Sequence, residues 1–285
     1  SQSIKPYSRR RNTSVEHVGR GVSRYHSIRR IILSSVVAII QARMGSSRLP
    51  GKVMMDLGGK PLLAHVIQRA LNIQNVDRVV LATTTHIADK PLLGLAEEYG
   101  ISSFAGNEED VLDRFYQAAR QHDASTVMRL TADCPFLDPD VSYQTLRRFQ
   151  QGDVDYASNN HPPTYPDGLD TEVFSRTTLD QAWREATLSS EREHVTPFIW
   201  KNADIFRLAN VTSSSDLSEM RWAVDEPEDL EFARSILNHI PQKVPIAYLR
   251  DILTVISNHP ELAAINGGII RDEGYAKSLE LDKPN

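Results

Sequence analysis

Short uninterrupted apolar runs alternate along the chain with stretches in which apolar residues recur at helical spacing. Val36 to Ile40 is a run of mostly β-branched residues with no polar interruption, the pattern of a strand buried on both faces. Residues 78–84, 101–105, 125–130 and 171–174 read as further strands, and 220–225 as another short apolar strand that ends in a carboxylate. Leu62, Leu63, Val66, Ile67, Ala70 and Leu71 share one helical face, with Pro61 placed as a first helical residue. Helices are also predicted over about 90–99, 108–119, 139–150, 176–186 and 190–201, and from the acidic start Glu226-Pro-Glu-Asp. Ile246, Leu249, Ile252, Leu253 and Ile256 extend the helical pattern toward the carboxyl end. This alternation predicts an open α/β fold with a mostly parallel central sheet.

The first strand empties into Gln41-Ala-Arg-Met-Gly-Ser-Ser-Arg-Leu-Pro-Gly-Lys52, a turn that carries Arg43, Arg48 and Lys52. Ligands of open α/β sheets bind at the carboxyl edge of the strands, where such loops lie. Backbone amides in the turn can approach an oxyanion closely and the cations can neutralise it. The stretch therefore reads as a polyphosphate cradle, with a solvated turn of scattered charge as the alternative. It is not a Walker loop, because the residues from Ser46 to Pro50 make the gap between Gly45 and Gly51 too long and Val53 follows the lysine where a metal-binding hydroxyl is needed. A G-x-G-x-x-G dinucleotide fingerprint is also lacking.

Other strand ends carry candidate chemistry. Thr83, Thr84 and Thr85 close the second strand, either as hydroxyls for a nucleotide base or ribose or as an ordinary strand end. Asp133 follows the 125–130 strand, where a carboxylate can hold Mg2+ against phosphate oxygens; its other reading is a turn aspartate capping the next helix. Asp225 repeats the arrangement, and two such carboxylates can meet on one sheet edge. Cys134 has no obvious base beside it in sequence and reads as a buried neighbour rather than a nucleophile.

Net charge is −5, with 40% hydrophobic and 24% charged residues, the composition of a soluble globular enzyme and a poor match to a general nucleic-acid binder. A single cysteine excludes a disulfide within the chain and a cysteine-based metal site, and makes a reducing cytoplasm the natural compartment. No apolar run approaches the roughly 18 residues of a membrane span. Residues 1–35 stand apart, with cations at positions 5, 9, 10, 11, 20, 24, 29 and 30 against the single acid Glu16. They read as a disordered basic tail, an extended start of the gene, a transit peptide or an arm for anionic surfaces. Residues 36–285 read as one domain.

The run from Gln41 to Lys52 closely resembles the signature of the sugar cytidylyltransferases, and within them the SpsF-like branch; more distant relatives activate acidic sugars such as sialic acid and 3-deoxy-octulosonate as CMP conjugates. The resemblance extends from about residue 36 to about 281. It implies a Rossmann-like nucleotidyltransferase fold, CTP as donor, Mg2+ as cofactor and pyrophosphate as by-product. It implies nucleotide contacts from Gln41, Ala42, Arg43, Met44, Gly45, Ser46, Arg48, Lys52, Thr83, Thr84, Arg129 and Asp133. Asp133, in Ala-Asp-Cys-Pro, and Asp225 are the implied metal ligands, and Arg43, Lys52, Asp133 and Asp225 the implied catalytic set. The stretch beginning at Glu108 resembles the family's Asp-Val-Leu-Asp-Arg segment, on the nucleotide side; the alternative for Asp110, Asp113 and Arg114 is ion pairing on a helix face.

By the same resemblance, residues 153–211 form an inserted region that covers the acceptor site and supplies a dimer contact. Tyr165, Asp167, Gly168 and Glu172 are candidates to line the acceptor pocket, together with Glu193 and His194 of the Glu-His-Val-Thr motif. Residues 244–285 resemble the family's carboxyl-terminal extension, for which packing is the expected role. The expected protein is thus a Mg-dependent homodimeric enzyme that moves CMP from CTP to a sugar or sugar-like acceptor for surface polysaccharide or glycoconjugate synthesis. The competing readings are a nucleotidyltransferase with another base or a phosphate or phosphonate acceptor, and a non-catalytic nucleotide- or sugar-binding partner. Retention of Arg43, Lys52, Asp133 and Asp225 counts against the last.

Overall fold

β1 (Val36–Gln41) lies inside a seven-stranded sheet with β2 (Arg78–Thr84), β3 (Ser102–Gly106), β4 (Thr126–Thr131), β5 (Tyr156–Ser158), β6 (Glu172–Ser175) and β7 (Leu208–Asn210), in the order β3-β2-β1-β4-β6-β5-β7. This computed structural model describes residues 35–241, 243–269, 271 and 273–282, so the readings of the basic segment up to residue 34 lie outside the described residues. β1 to β4 pair in parallel, and β6 alone runs antiparallel to both its neighbours. The ends of β1, β2, β3 and β4 therefore share one edge with the beginning of β6.

β1 is buried on both faces, as its unbroken apolar run requires. Val36, Ala38 and Ile40 join one core with α1 (Leu62–Ala70), α2 (Lys90–Glu98), α4 (Pro139–Gln150), α8 (Pro227–His239) and α9 (Leu249–Asn258). Val37 and Ile39 join a second core with α3 (Val111–Gln121), α5 (Arg176–Glu185) and α7 (Pro197–Lys201). The two-residue period of the strand is what divides them. A short α6 (Ser189–His194) precedes α7, and α10 (Glu273–Leu281) is the last described helix. No described helix is long and apolar enough to cross a membrane.

Two expectations change. The helix expected over 190–201 is broken into α6 and α7, because Val195 takes φ 73° and Pro197 opens a new first turn. Residues 220–225 are not a strand of the sheet. They run extended between two loops, with Trp222 N–H donating to Asp167 O at 2.7 Å and Val224 N–H to Asp133 O at 2.8 Å. The apolar pattern that suggested a strand is real burial, since Trp222 and Val224 are in the core. The 153–211 segment continues the central sheet by contributing β5, β6 and β7; β5 and β7, at three residues each, were too short to stand out in the sequence.

Candidate active site

The cradle is folded by its own backbone. Met44 O accepts from Ser46 N–H at 3.0 Å and Gly51 N–H at 2.9 Å, and Ser46 Oγ accepts from Leu49 N–H at 3.3 Å. Gly51 takes φ 73°, a left-handed conformation that glycine adopts without the cost other residues meet. Met44 N–H is held by Asp89 Oδ1 at 2.7 Å, and Thr84 Oγ1 donates to the other oxygen of the same carboxylate. Thr83 and Thr84 are buried and neither lines the cavity at the cradle. Thr84 therefore supports the loop through Asp89 rather than facing a base. Ala42 is also buried, its N–H bonded to Ala82 O at 3.1 Å.

Lys52 is the point where the strand ends meet. It is 8% exposed, and its Nζ donates to Asp133 Oδ2 at 3.1 Å, Asp225 Oδ1 at 2.7 Å and Val224 O at 2.7 Å. Three acceptors use all three of its protons. Burial pulls the ammonium down, but the charges of Asp133 and Asp225 and the bonds to both outweigh it and raise its pKa. Burial pushes the Asp133 carboxyl up; the Lys52 charge, with bonds from Thr131 and Lys52, more than reverses this and holds it at about 2. Asp133 and Asp225, far apart in sequence, thus face one another across a single nitrogen.

The other cradle cations diverge. Arg48 spreads its guanidinium over Asp225 at 3.2 Å, Glu226 at 3.2 Å and Glu273 at 2.7 Å. Arg43 is exposed and borders a cavity of about 290 Å³ together with Gly45, Ser46, Arg48, Lys52 and Arg114. Burial pulls the Arg114 guanidinium down to about 10, and the charge of Arg43 adds to the effect. Arg114 reaches the cradle cavity, together with Val111, rather than pairing with Asp110 or Asp113; Asp110 instead binds Arg192 and Asp113 the indole N–H of Trp183.

A second cavity of about 480 Å³ adjoins the first and shares Gln41, Arg48, Asp133, His194 and Asp225 with it. Arg129 donates to Gln41 Oε1 at 3.2 Å and to Glu172. Glu172 also accepts from Tyr156 Oη at 2.5 Å and Thr196 Oγ1 at 2.6 Å, which accounts for a buried carboxylate at the start of β6. Asp167 is tied to Arg221 at 2.8 Å. Gly168 takes φ 104°, and a Cβ there would stand 2.6 Å from Ala223 N, so only glycine lets this loop lie against residues 222–223. Tyr165 packs in the core and does not line the cavity. Glu193 and His194 are both linked to Ser278 of α10.

The sequence profile of the cytidylyltransferase family matches residues 37–250, which spans the cradle, both carboxylates and the whole sheet. The chain belongs to the cytidylyltransferase family. It is 31% identical over 240 residues to the spore coat polysaccharide biosynthesis protein SpsF of Bacillus subtilis, an alignment covering 81% of this chain and 98% of the relative. It is 29% identical over 247 residues to a 3-deoxy-manno-octulosonate cytidylyltransferase from Anaeromyxobacter, covering 73% and 99%. Among solved structures, a cytidylyltransferase from Leptospira borgpetersenii superposes with a TM-score of 0.76 at 29% identity, covering 80% of this chain and 96% of that one. The sheet of this chain is thus that of a Rossmann-like nucleotidyltransferase, with one strand reversed.

Several residues of this cytidylyltransferase site were not singled out from sequence. Asp89, which braces the cradle, precedes a predicted helix and reads there as an ordinary first-turn acid. Arg221 contacts Asp167, Asp225 and Asp229 at 2.8, 2.9 and 2.9 Å; the only cue was a cation within an otherwise apolar run. Glu273, Gly274 and Tyr275 of the carboxyl-terminal segment line the larger site cavity. A roomier opening of about 800 Å³ between α1 and residues 237–247 contains no residue of the cradle or of the strand-end carboxylates.

Proposed function

We propose that the chain catalyses CTP + acceptor → CMP-conjugate + pyrophosphate, the acceptor being a sugar or sugar-like molecule destined for surface polysaccharide or glycoconjugate. The observation that carries this reading is the buried Lys52 ammonium bonded at once to Asp133 and Asp225 beside the cradle loop. Arg43, Arg48 and Lys52 neutralise the triphosphate, Gln41 and the amide of Gly45 orient it, and an acceptor oxygen attacks the α-phosphorus as pyrophosphate leaves. Positioning and charge neutralisation supply most of the acceleration in such a transfer.

Asp133 and Asp225 fit a Mg2+ ion as a pair of hard oxygen ligands, the share a protein contributes when phosphate and water fill the remaining positions. Among the described residues, no group of three or more His, Cys, Asp or Glu side chains could hold a metal ion. When bound, the ion neutralises triphosphate oxygens. The homodimer contact belongs to the 153–211 segment in the same reading.

The test is pyrophosphate release from each of the four nucleoside triphosphates with Mg2+ and a panel of sugars, sugar acids and sugar phosphates. Release is expected with CTP. Release with another nucleotide in its place overturns the base assignment, and absence of both CTP binding and release overturns the enzyme reading. Sedimentation at several concentrations checks the dimer, and a monomer throughout removes that element.

A further inference from the structure

The carboxyl-terminal helix α10 lies beyond the residues matched by the family profile, yet it closes the site. Glu273, Gly274 and Tyr275 line the larger cavity, and Gly274 and Lys277 the cradle cavity. The helix is fixed in place through α6: Ser278 Oγ lies 2.6 Å from Glu193 Oε2 and 2.9 Å from His194 Nε2, and Ser190 N–H donates to Asp282 Oδ1 at 3.0 Å. Ser278 Oγ–H donates to Glu193 Oε2, with Gly274 O as a second acceptor at 3.1 Å, and the same oxygen accepts from His194 Nε2–H. Glu193 and His194 therefore act here as the seat of α10.

This seating places Tyr275 in an aromatic wall. Its ring centroid is 5.1 Å from His194 and 5.8 Å from Trp200, and Trp200 is in turn 4.7 Å from His161. Tyr275 Oη is buried without a hydrogen-bond partner, and so is Asn160 Oδ1, and both residues line the same cavity. A buried polar atom left unpaired is costly, and two such oxygens on one cavity are the complement of a ligand that brings its own hydroxyls. An aromatic wall with a few convergent polar atoms is how pockets recognise a ring of mixed character.

We propose that Tyr275 is a specificity-determining residue of the acceptor subsite, selecting a polyhydroxylated ring that packs on Trp200 and Tyr275 and hydrogen-bonds to Tyr275 Oη and Asn160 Oδ1. The inference rests on the cytidylyltransfer reading and adds the wall that faces the acceptor. It also gives α10 a role distinct from packing: the acceptor is recognised by a segment outside the family's matched region.

The experiment uses the full chain, Tyr275→Phe and Asn160→Ala. Tyr275→Phe keeps the ring contacts and removes only the hydroxyl. Calorimetric titration with CTP and Mg2+ comes first: failure of the parent to bind CTP overturns the cytidylyltransfer reading and this inference with it. Pyrophosphate release is then followed with 3-deoxy-manno-octulosonate, glucuronate, glucose 1-phosphate and, as a ring without hydroxyls, cyclohexanecarboxylate. Expected are turnover with a hydroxylated member, none with cyclohexanecarboxylate, and an acceptor KM about 5- to 10-fold higher in each variant with the CTP KM unchanged, the size of one lost hydrogen bond. An unchanged acceptor KM in Tyr275→Phe, an equal rise in the CTP KM, or CTP binding without release for any hydroxylated member overturns the inference alone.

Discussion

Arg48 Nη1 and Glu273 Oε2 are 2.7 Å apart although 225 positions separate them in the chain. A cation assigned to the triphosphate is thus held by a carboxylate of α10, and nucleotide must compete with it. Glu273 is 43% exposed at its side chain, so the pair is a modest one. Glu273→Gln is expected to lower the CTP KM by about 2- to 5-fold, the scale of a solvent-screened ion pair. A raised or unchanged KM in steady-state kinetics removes this competition.

Lys52→Ala is expected to lower kcat/KM by about 10²- to 10³-fold, the loss of one charge stabiliser in a water-poor site. Lys52→Arg is not expected to restore it, since a planar fork does not replace a compact ammonium between two carboxylates. Stability should fall as well, by about 2–4 kcal/mol, because two partly buried carboxylates lose their shared partner. Asp133→Asn and Asp225→Asn should each lower turnover while leaving Lys52 the other carboxylate. Wild-type kinetics in Lys52→Ala would refute the cradle.

The Asp133 carboxyl, held at about 2, sets a direction for acid stability. A depressed carboxyl pKa contributes stability that is fully present above the unfolded value of about 3.9 and is lost as pH falls toward 2. In Lys52→Met the opposing charge is gone, and burial acts on Asp133 against only its remaining hydrogen bonds, that from Thr131 among them. The acid-unfolding midpoint followed by circular dichroism should then move to higher pH; a midpoint at or below that of the parent contradicts the coupling.

His65 acts in a different window. Burial, with the Lys60 and Arg69 charges, pulls its imidazole down to about 4, and its Nε2–H donates to Leu57 O at 2.6 Å. The unfolded chain binds the extra proton first, so this contribution is full above about pH 6.5 and is lost progressively down to about 4, amounting to about 3 kcal/mol. Chemical denaturation between pH 7 and 4 should show that slope, and His65→Gln should flatten it. An equal slope in both proteins excludes His65 as its source.

Asp89→Ala removes the acceptor of Met44 N–H and of the Thr84 hydroxyl together. Two orphaned donors at the foot of the cradle should cost about 1–3 kcal/mol of stability. The CTP KM should rise several-fold because the turn from Met44 to Gly51 loses its brace. A variant with normal stability and normal CTP KM would show that the loop's own backbone bonds suffice.

The parts legible in the sequence are those where one local signal and one long-range demand coincide. Val36 to Gln41 could only be a strand buried on both faces, and the turn from Arg43 to Lys52 could only put its charges at that strand's end. Asp133 and Asp225 were correctly brought together, though the route differs: Asp225 arrives on an extended segment laid against the Asp133 loop, not on a sheet strand. Thr84 and Asp89 were opaque because what matters is which neighbour each one faces, and strand-end hydroxyls and helix-start acids look alike in any role. Tyr165 shows the same limit, since a tyrosine in a turn-rich loop is equally good as pocket wall or as core. The role of α10 was hidden because a helix that closes a cavity from outside carries the same amphipathic pattern as one that merely packs.

Arg221 joins parts of the molecule that are usually considered separately. Its guanidinium binds Asp167 of the acceptor-side loop, Asp225 of the carboxylate pair and Asp229 of α8, while Asn266 Nδ2 donates to its carbonyl at 3.0 Å and to Asp229 Oδ1 at 2.9 Å. For anyone redesigning acceptor preference, this makes the loop around Asp167 a poor cassette. Grafting that loop from a relative without an acid at 167 would leave the Arg221 guanidinium with one carboxylate fewer, and Arg221 would draw harder on Asp225, the carboxylate that also holds Lys52. A swap intended to change what is modified would then also alter how readily the donor is engaged, so the transplantable unit is the loop together with residues 221, 229 and 266.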